Sequence, residues 1–388
     1  MKNYIFKLPT KIYFGENAAM ELKDILTSYG ITKVMIVTDP GIAGTESFQK
    51  LIQKLDADEV DYVLFDRAEA DPPIEAVDDA AQILKDSGAD GVVAVGGGSS
   101  IDTSKAMSML VTNEGSVRDY LFGGTKEVIN RPLPLIAIPT TAGSGSEVTA
   151  ASVITDNQND IKLSVTHEYL MPLAAIIDPV MHIGMPPMIT ASTGMDALTH
   201  AIEAYVSLNA EPISDMYAET AIRMIGQYIR TAMYKPADIE ARSNMAVASV
   251  LAAAAMVNAG LGAVHGISQS MGGIAHTPHG IANSLMLPYV MELNVKGNPK
   301  KFAKIAELLG EKTDGLSIRD AAALSIKAVK QLSDDLRIPD SLSKLAIPVT
   351  PDMFPKIVEG TMGYRLLAVN PVKVREQDVY DILEKANR

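Results

Sequence analysis

GVVAVGGGSSIDTSKAMSML, residues 91–110, decides how this chain folds. Gly91–Val95 is a short apolar run of the kind that forms a strand buried on both faces. Gly96, Gly97, Gly98 and Ser99 follow without a spacer, and Ser100–Leu110 then reads as a helix. Strand, glycine turn and helix in succession form the repeating unit of an α/β layer. Upstream and downstream the alternation continues. Ile31–Thr38, Val60–Phe65 and Leu133–Pro139 read as further strands, with helical patterns at Ser47–Leu55 and Ile74–Ser87. These elements predict a parallel sheet. From about Thr190 onward the character changes to long Ala-, Met- and Leu-rich helical stretches with no strand series. Asn298–Pro299 and Thr350–Pro351 each read as an N-cap followed by a first-turn proline.

The 388 residues suffice for a large core in two domains, with the change of character near Met185–Pro187. An apolar fraction of 47% and a charged fraction of 21% are globular values. The net charge of −13 argues against a nucleic-acid partner, which needs a basic stripe, and against anionic membranes. The chain has no cysteine, so disulfides, iron–sulfur clusters and thiolate chemistry are excluded, and any metal site must use nitrogen and oxygen. The stretch Met245–Val264 is long enough to suggest a membrane span. It is mostly alanine and is interrupted by Asn258, Gly260 and Gly262, so a buried helix of a soluble core is expected. MKNYIFKLPTKIYFG lacks the apolar core and cleavage site of a secretory signal, which gives the cytoplasm as the expected location.

Two loops carry a nucleotide signal. Glycines at 96–98 would let backbone amides approach an anion, and a helix N-terminus adds unpaired N–H donors and positive potential. Asp102, three residues after Ser99, fits a capping pattern. The ordinary alternative is a tight turn. A second small-residue loop, Pro139–Glu147 (PTTAGSGSE), leaves another strand end, and ligands of open α/β sheets bind at the carboxyl ends of the strands. Asp39 follows the strand ITKVMIVT, where a carboxylate can accept from an adenosine ribose and would repel a 2′-phosphate. This favours NAD over NADP. Its plain alternative is a turn residue before Pro40-Gly41.

The segment TGMDALTHAIEAY places Asp196 and His200 four apart, on one face if the segment is helical. GAVHGISQSMGGIAHTPHGIANS adds His265 and His279. One carboxylate and three imidazoles form a donor set suited to a divalent transition metal. Taken singly, each is more often a hydrogen-bonded core residue or an ion pair. Charged or ionisable groups in such apolar surroundings nonetheless need partners, and one metal would satisfy all four.

The motifs PTKIYFG, VTDPGI, GGGSSIDTSKA, IPTTAGSGSEVT, SVITD, KLSV, AAIIDP, TGMDALTHAIEAYVS and TPHGIANSLMLPY span nearly the whole chain. With them the sequence resembles the iron-dependent (group III) alcohol dehydrogenase family, which includes lactaldehyde reductases and 1,3-propanediol dehydrogenases. The resemblance implies a dinucleotide-binding α/β domain over residues 1–185 and a helical metal-binding, catalytic domain over 186–388. This architecture is shared with dehydroquinate-synthase-like proteins, with the active site in the cleft between the domains. It implies Fe²⁺, or Zn²⁺ as in some relatives, on Asp196, His200, His265 and His279. It implies NAD(H) contacts from Asp39, Gly97, Gly98, Ser99, Thr140, Thr141, Ser144, Thr149 and Lys162, with Asp102 and Lys105 near the cofactor. A homodimer or larger homo-oligomer is also implied.

The chain departs from the family pattern at five places. Gln269 stands where relatives often carry a histidine proposed for proton relay, and His276 replaces a frequent asparagine. Ser100 replaces proline, Ser144 replaces threonine and Asp71 replaces asparagine. His276 and Gln269 are therefore the candidate proton-handling positions, with water as the alternative route. The expected chemistry is reversible hydride transfer between NAD and a small primary alcohol or diol, with the metal acidifying the alcohol. Rival readings are a related polyol dehydrogenase or lyase, a metal-dependent hydrolase and a non-catalytic binding protein. The two nucleotide loops and the TGMDALTHAIEAY signature weigh against all three. The substrate itself is not fixed by any motif, and no arginine cluster awaits a carboxylate or sulfonate.

Overall fold

The computed structural model describes residues 3–159 and 161–388. It divides into two compact units, residues 8–185 on the one hand and residues 186–388 with the stretch through Lys7 on the other. Within the latter, the Lys7 backbone donates to Asn258 Oδ1 at 2.7 Å and accepts from Asn258 Nδ2 at 3.0 Å, while Phe6 stacks on Tyr217.

Among the described residues the first unit contains eight strands: β1 (Lys11–Phe14), β2 (Lys33–Val37), β3 (Asp61–Phe65), β4 (Gly91–Gly96), β5 (Leu135–Pro139), β6 (Ala151–Asp156), β7 (Ile161–Thr166) and β8 (Ala174–Ile177). Six of them make one parallel sheet in the order β1-β8-β5-β4-β2-β3, and β6 pairs with β7 as a separate antiparallel hairpin. The helices are α1 (Leu22–Ser28), α2 (Pro40–Ala43), α3 (Glu46–Ala57), α4 (Ile74–Ser87) and α5 (Gly98–Thr112). Successive strand residues point to opposite faces, so two cores form. Met35, Val37, Val92, Ala94 and Ala137 meet α4 and α5 on one face. Val34, Ile36, Val93, Val95, Ile136 and Ile138 meet α1 and α3 on the other. β4 and β5 are buried along their whole length, which is why they read as unbroken apolar runs.

Among the described residues the second unit contains no strand. Its helices are α6 (Pro187–Val206), α7 (Pro212–Tyr234), α8 (Ile239–Ala259), α9 (Ala263–Ala275), α10 (His279–Asn294), α11 (Pro299–Leu308), α12 (Ile318–Asp335), α13 (Phe354–Met362) and α14 (Glu376–Ala386). The alanine-rich stretch that resembles a span is α8, which is largely buried, ends at Gly260 with φ +84°, and bends by 103° into α9. No single described helix is long and apolar enough to cross a membrane.

Two details of the sequence reading need correction. Asn298 caps α11 through Lys301 N–H as expected, but Thr350 makes no side-chain cap. Pro351–Met353 is a 3₁₀ turn, and the helix starts at Phe354. Likewise Ser99 does not cap the helix after the glycines. α5 begins one residue earlier, at Gly98, with Gly97 as its N-cap, and Asp102 turns away to other partners.

Candidate metal centre and nucleotide loops

α6 carries Asp196 and His200 one turn apart, α9 carries His265 in its first turn, and α10 opens on His279. All four predicted residues converge. His200 Nε2 lies 3.6 Å from Asp196 Oδ1, and the Nε2 atoms of His265 and His279 each lie 3.8 Å from the same oxygen. The rings of His200 and His265 stack at 4.8 Å between centroids. Asp196, His200 and His265 are buried, whereas the His279 side chain is 37% exposed, giving the cluster one open side.

The electrostatics suit a cation. Burial works against the Asp196 charge, but the facing His200, His279 and His265, with a hydrogen bond from Asn283, hold its carboxyl below the usual range. Burial, reinforced by His200 and His279, keeps His265 far below the ordinary histidine value, so its ring is neutral. His200 Nδ1 has no hydrogen-bond partner among the described residues, and its Nε2 is too far from Asp196 for one. Three imidazoles around one carboxylate oxygen are a donor set for Zn²⁺, Fe²⁺ or a similar ion. Asp196, His265 and His279 alone place their donor atoms within 4.8 Å of one another.

Sequence reasoning missed two polar groups here. The Asn283 amide donates to Asp196 Oδ1 at 2.6 Å and lies 3.1 Å from Nε2 of both His265 and His279, and its carbonyl accepts from Ser268. Glu203 Oε2 lies 2.6 Å from His265 Nδ1. Burial pushes the Glu203 carboxyl up to about 7, against the pull of the Gly262, Val264 and His265 backbone N–H groups. Asn283 is the fourth residue after His279, a spacing that could have flagged it. Glu203 merely looks like a polar position on an amphipathic helix.

The residues expected to hold the nucleotide lie in the first unit. Gly97 and Gly98 join β4 to α5, whose N-terminus thus faces the carboxyl end of the sheet. The glycines differ in what they permit. A Cβ at Gly96 would strike the Ser100 side chain, and one at Gly98 would strike Ser144 Oγ at 2.8 Å, so packing favours glycine at both. A Cβ at Gly97 would meet only the Thr141 side chain, at 3.4 Å. Packing therefore does not demand glycine there.

Ser144 Oγ accepts from Ser146 N–H, Ser99 Oγ accepts from Asp71 N–H, and Thr140 Oγ1 is buried without a partner among the described residues. Such an orphan hydroxyl suits a polar ligand. Lys162 pairs with Asp71 at 2.6 Å, and Asp71 adopts a left-handed φ of +49°.

Beneath the second loop, the buried Lys105 donates to Ser146 Oγ, Thr149 Oγ1 and the Ala151 carbonyl. Asp102 accepts from Ser146 Oγ and Val153 N–H. These two side chains therefore brace the loop from behind. Burial lowers Lys105 to about 8 and raises Glu147 beside it to about 7. Asp39 performs the plain turn role with one oxygen. Its Oδ1 caps α2 through Gly41 and Ile42 N–H, while Oδ2 faces Ser100 Oγ at 3.5 Å.

Of the proton-handling positions, Gln269 sits half-buried one turn after His265 on α9. His276 ends α9 as an exposed left-handed cap with φ +48°.

Two family models match the chain. Residues 9–179 match "Iron-containing alcohol dehydrogenase", and residues 190–387 match "Fe-containing alcohol dehydrogenase family, C-terminal". The chain is 38% identical to 1,3-propanediol dehydrogenase of Citrobacter freundii over 98% of both sequences. Its structure is similar to that of a 1,3-propanediol oxidoreductase, with a TM-score of 0.95, 37% identity, and coverage of 99% of this chain and 100% of the other. It is also similar to sulfoacetaldehyde reductase from Bifidobacterium kashiwanohense in complex with NAD⁺, with a TM-score of 0.89, 31% identity, and coverage of 100% and 99%.

Proposed function

The chain belongs to the iron-containing alcohol dehydrogenase family, and we propose that within it the protein is a NAD-dependent enzyme acting reversibly on a small primary alcohol or diol and its aldehyde. The observation that carries this reading is the convergence of three imidazole Nε2 atoms within 3.6–3.8 Å of one Asp196 oxygen. Asp196, His200, His265 and His279 would hold Fe²⁺, with Zn²⁺ as the alternative ion. Bound there, the metal supplies Lewis acidity to the alcohol or carbonyl oxygen. The nicotinamide supplies the hydride chemistry.

The chain's own residues do the rest. Gly97, Gly98 and the N-terminus of α5 offer backbone N–H donors to the pyrophosphate. Ser99, Thr140, Thr141, Ser144, Thr149 and Lys162 surround the same loops, and Asp102 and Lys105 keep them in place. Asp39 Oδ2, not engaged in the cap, is available to a ribose hydroxyl and repels a 2′-phosphate, which favours NAD. The NAD⁺ complex of the sulfoacetaldehyde reductase supports this assignment. The proton leaves through His276 or through water, because Gln269 cannot titrate. A homodimer or larger homo-oligomer in the cytoplasm completes the reading.

The similar proteins' names span a diol and a sulfonated aldehyde, so substrate identity calls for a direct test. A panel of alcohols with NAD⁺ and of aldehydes with NADH, each with Fe²⁺ added anaerobically, is followed by the absorbance of the reduced cofactor. Turnover is expected with small primary alcohols or diols, and more efficiently with NAD(H) than with NADP(H). Absence of turnover across the panel, or a preference for NADP(H), contradicts the proposal.

A further inference from the structure

Glu203 lies on α6, seven residues after Asp196 and three after His200, and is 4% exposed. Its two oxygens face different groups. Oε1 accepts from Val264 N–H at 2.7 Å, and Oε2 lies 2.6 Å from His265 Nδ1. α9 begins at Ala263 behind Gly262, which offers no side-chain cap, so Glu203 reaches across from another helix to satisfy one of its orphan donors. A Cβ at Gly262 would meet Asn370 Oδ1 at 2.6 Å and Glu203 Oε1 at 3.0 Å, so the close approach of both side chains favours glycine there.

An ionised carboxylate only accepts hydrogen bonds. With Oε2 as the acceptor at 2.6 Å, the ring proton of His265 sits on Nδ1, which leaves the Nε2 lone pair free on the side of Asp196 Oδ1. Nε2 is also the nitrogen that the neighbouring His200 and His279 present. We propose that Glu203 is a positioning residue that fixes the tautomer and rotation of His265, and thereby sets the affinity of the four-residue site for its metal. This rests on the metal reading above. Carboxylate–histidine–metal arrangements of this kind typically contribute ten- to a hundredfold in metal affinity.

Glu203→Gln separates this role from a mere helix cap. Glutamine keeps the volume but has one acceptor and one donor. If its carbonyl stays on Val264 N–H, its amide donates to His265 Nδ1, and the ring proton moves to Nε2, the wrong nitrogen for a metal. If the amide turns round, it faces Val264 N–H donor to donor. Zinc affinity of the chelator-stripped chain, measured by competition with a chromophoric chelator, is compared with the melting temperature of the same metal-free chain. The expected result is a ten- to hundredfold weaker zinc affinity with the metal-free melting temperature nearly unchanged, and partial recovery in Glu203→Asp.

Zinc binding equal to wild type overturns the inference, as does a loss of zinc only in proportion to a lost fold. Failure of the wild-type chain to bind zinc removes the metal reading itself, and the inference with it. A second measurement needs no variant. In ¹H–¹⁵N spectra of the wild-type chain, His265 is expected to carry its proton on Nδ1, and a proton on Nε2 overturns the assignment.

Discussion

The two functional regions are built from opposite materials. The candidate metal centre is made of side chains: one carboxylate and three imidazoles projected from three helices. The candidate nucleotide loops are made of backbone and small hydroxyls at strand ends, where Gly97, a glycine that packing does not require, contributes no side chain. Each material suits its ligand. A small cation needs a few strong donors in fixed positions, and buried helices hold them rigidly. A pyrophosphate needs many weak donors and unobstructed approach, which helix N-termini and glycines provide.

The largest effect expected from this contrast lies on the metal side. His279→Ala removes a donor that nothing replaces, so turnover should fall roughly a thousandfold or more, the size of losing several kcal/mol of Lewis-acid stabilisation. The melting temperature of the metal-free chain should hardly move, because His279 opens α10 on the cluster's exposed side. Turnover within tenfold of wild type would break the assignment.

An intermediate effect is expected at Gly97→Ala. The added methyl meets only the Thr141 side chain at 3.4 Å, so stability should be preserved. NADH affinity, measured by fluorescence titration, should nevertheless weaken about ten- to a hundredfold, because the methyl occupies the approach to the helix N-terminus. Unchanged NADH binding would show that the loop is only a tight turn. Gly98→Ala would not answer the question, since it clashes with Ser144 before any ligand arrives.

The smallest of the three effects belongs to Asp39. Asparagine caps helices about as well as aspartate, so Asp39→Asn keeps the hydrogen bonds to Gly41 and Ile42 N–H while removing the charge. The ratio of catalytic efficiencies with NADP and NAD should rise by about tenfold, roughly one moderately screened charge repulsion. An unchanged ratio would leave Asp39 as a cap alone.

The same contrast explains what could be read from the sequence. β4 and β5 are buried on both faces and appear as apolar runs, and the four metal-site residues appear as unusual types in apolar surroundings. β1, an edge strand with mostly exposed residues, carries no such run. β8 is four residues of alanine and isoleucine, too short to tell from a helix. The β6–β7 hairpin was visible only as family motifs. Glu203 was invisible because its meaning depends on α9 arriving beside it, a contact 61 residues away in sequence for Val264. Asp102 misled for the same reason. It sits at capping distance from Ser99, but tertiary partners 44 and 51 residues away take both of its oxygens.

The most direct test measures metal content and NADH affinity together on His279→Ala and Gly97→Ala. If side chains of one region hold the metal and backbone of the other holds the cofactor, the losses should be crossed. His279→Ala should lose tight metal binding but keep NADH affinity close to wild type, and Gly97→Ala should keep one metal per chain but lose NADH affinity. Full metal occupancy in His279→Ala, or undiminished NADH binding in Gly97→Ala, would contradict that division of labour.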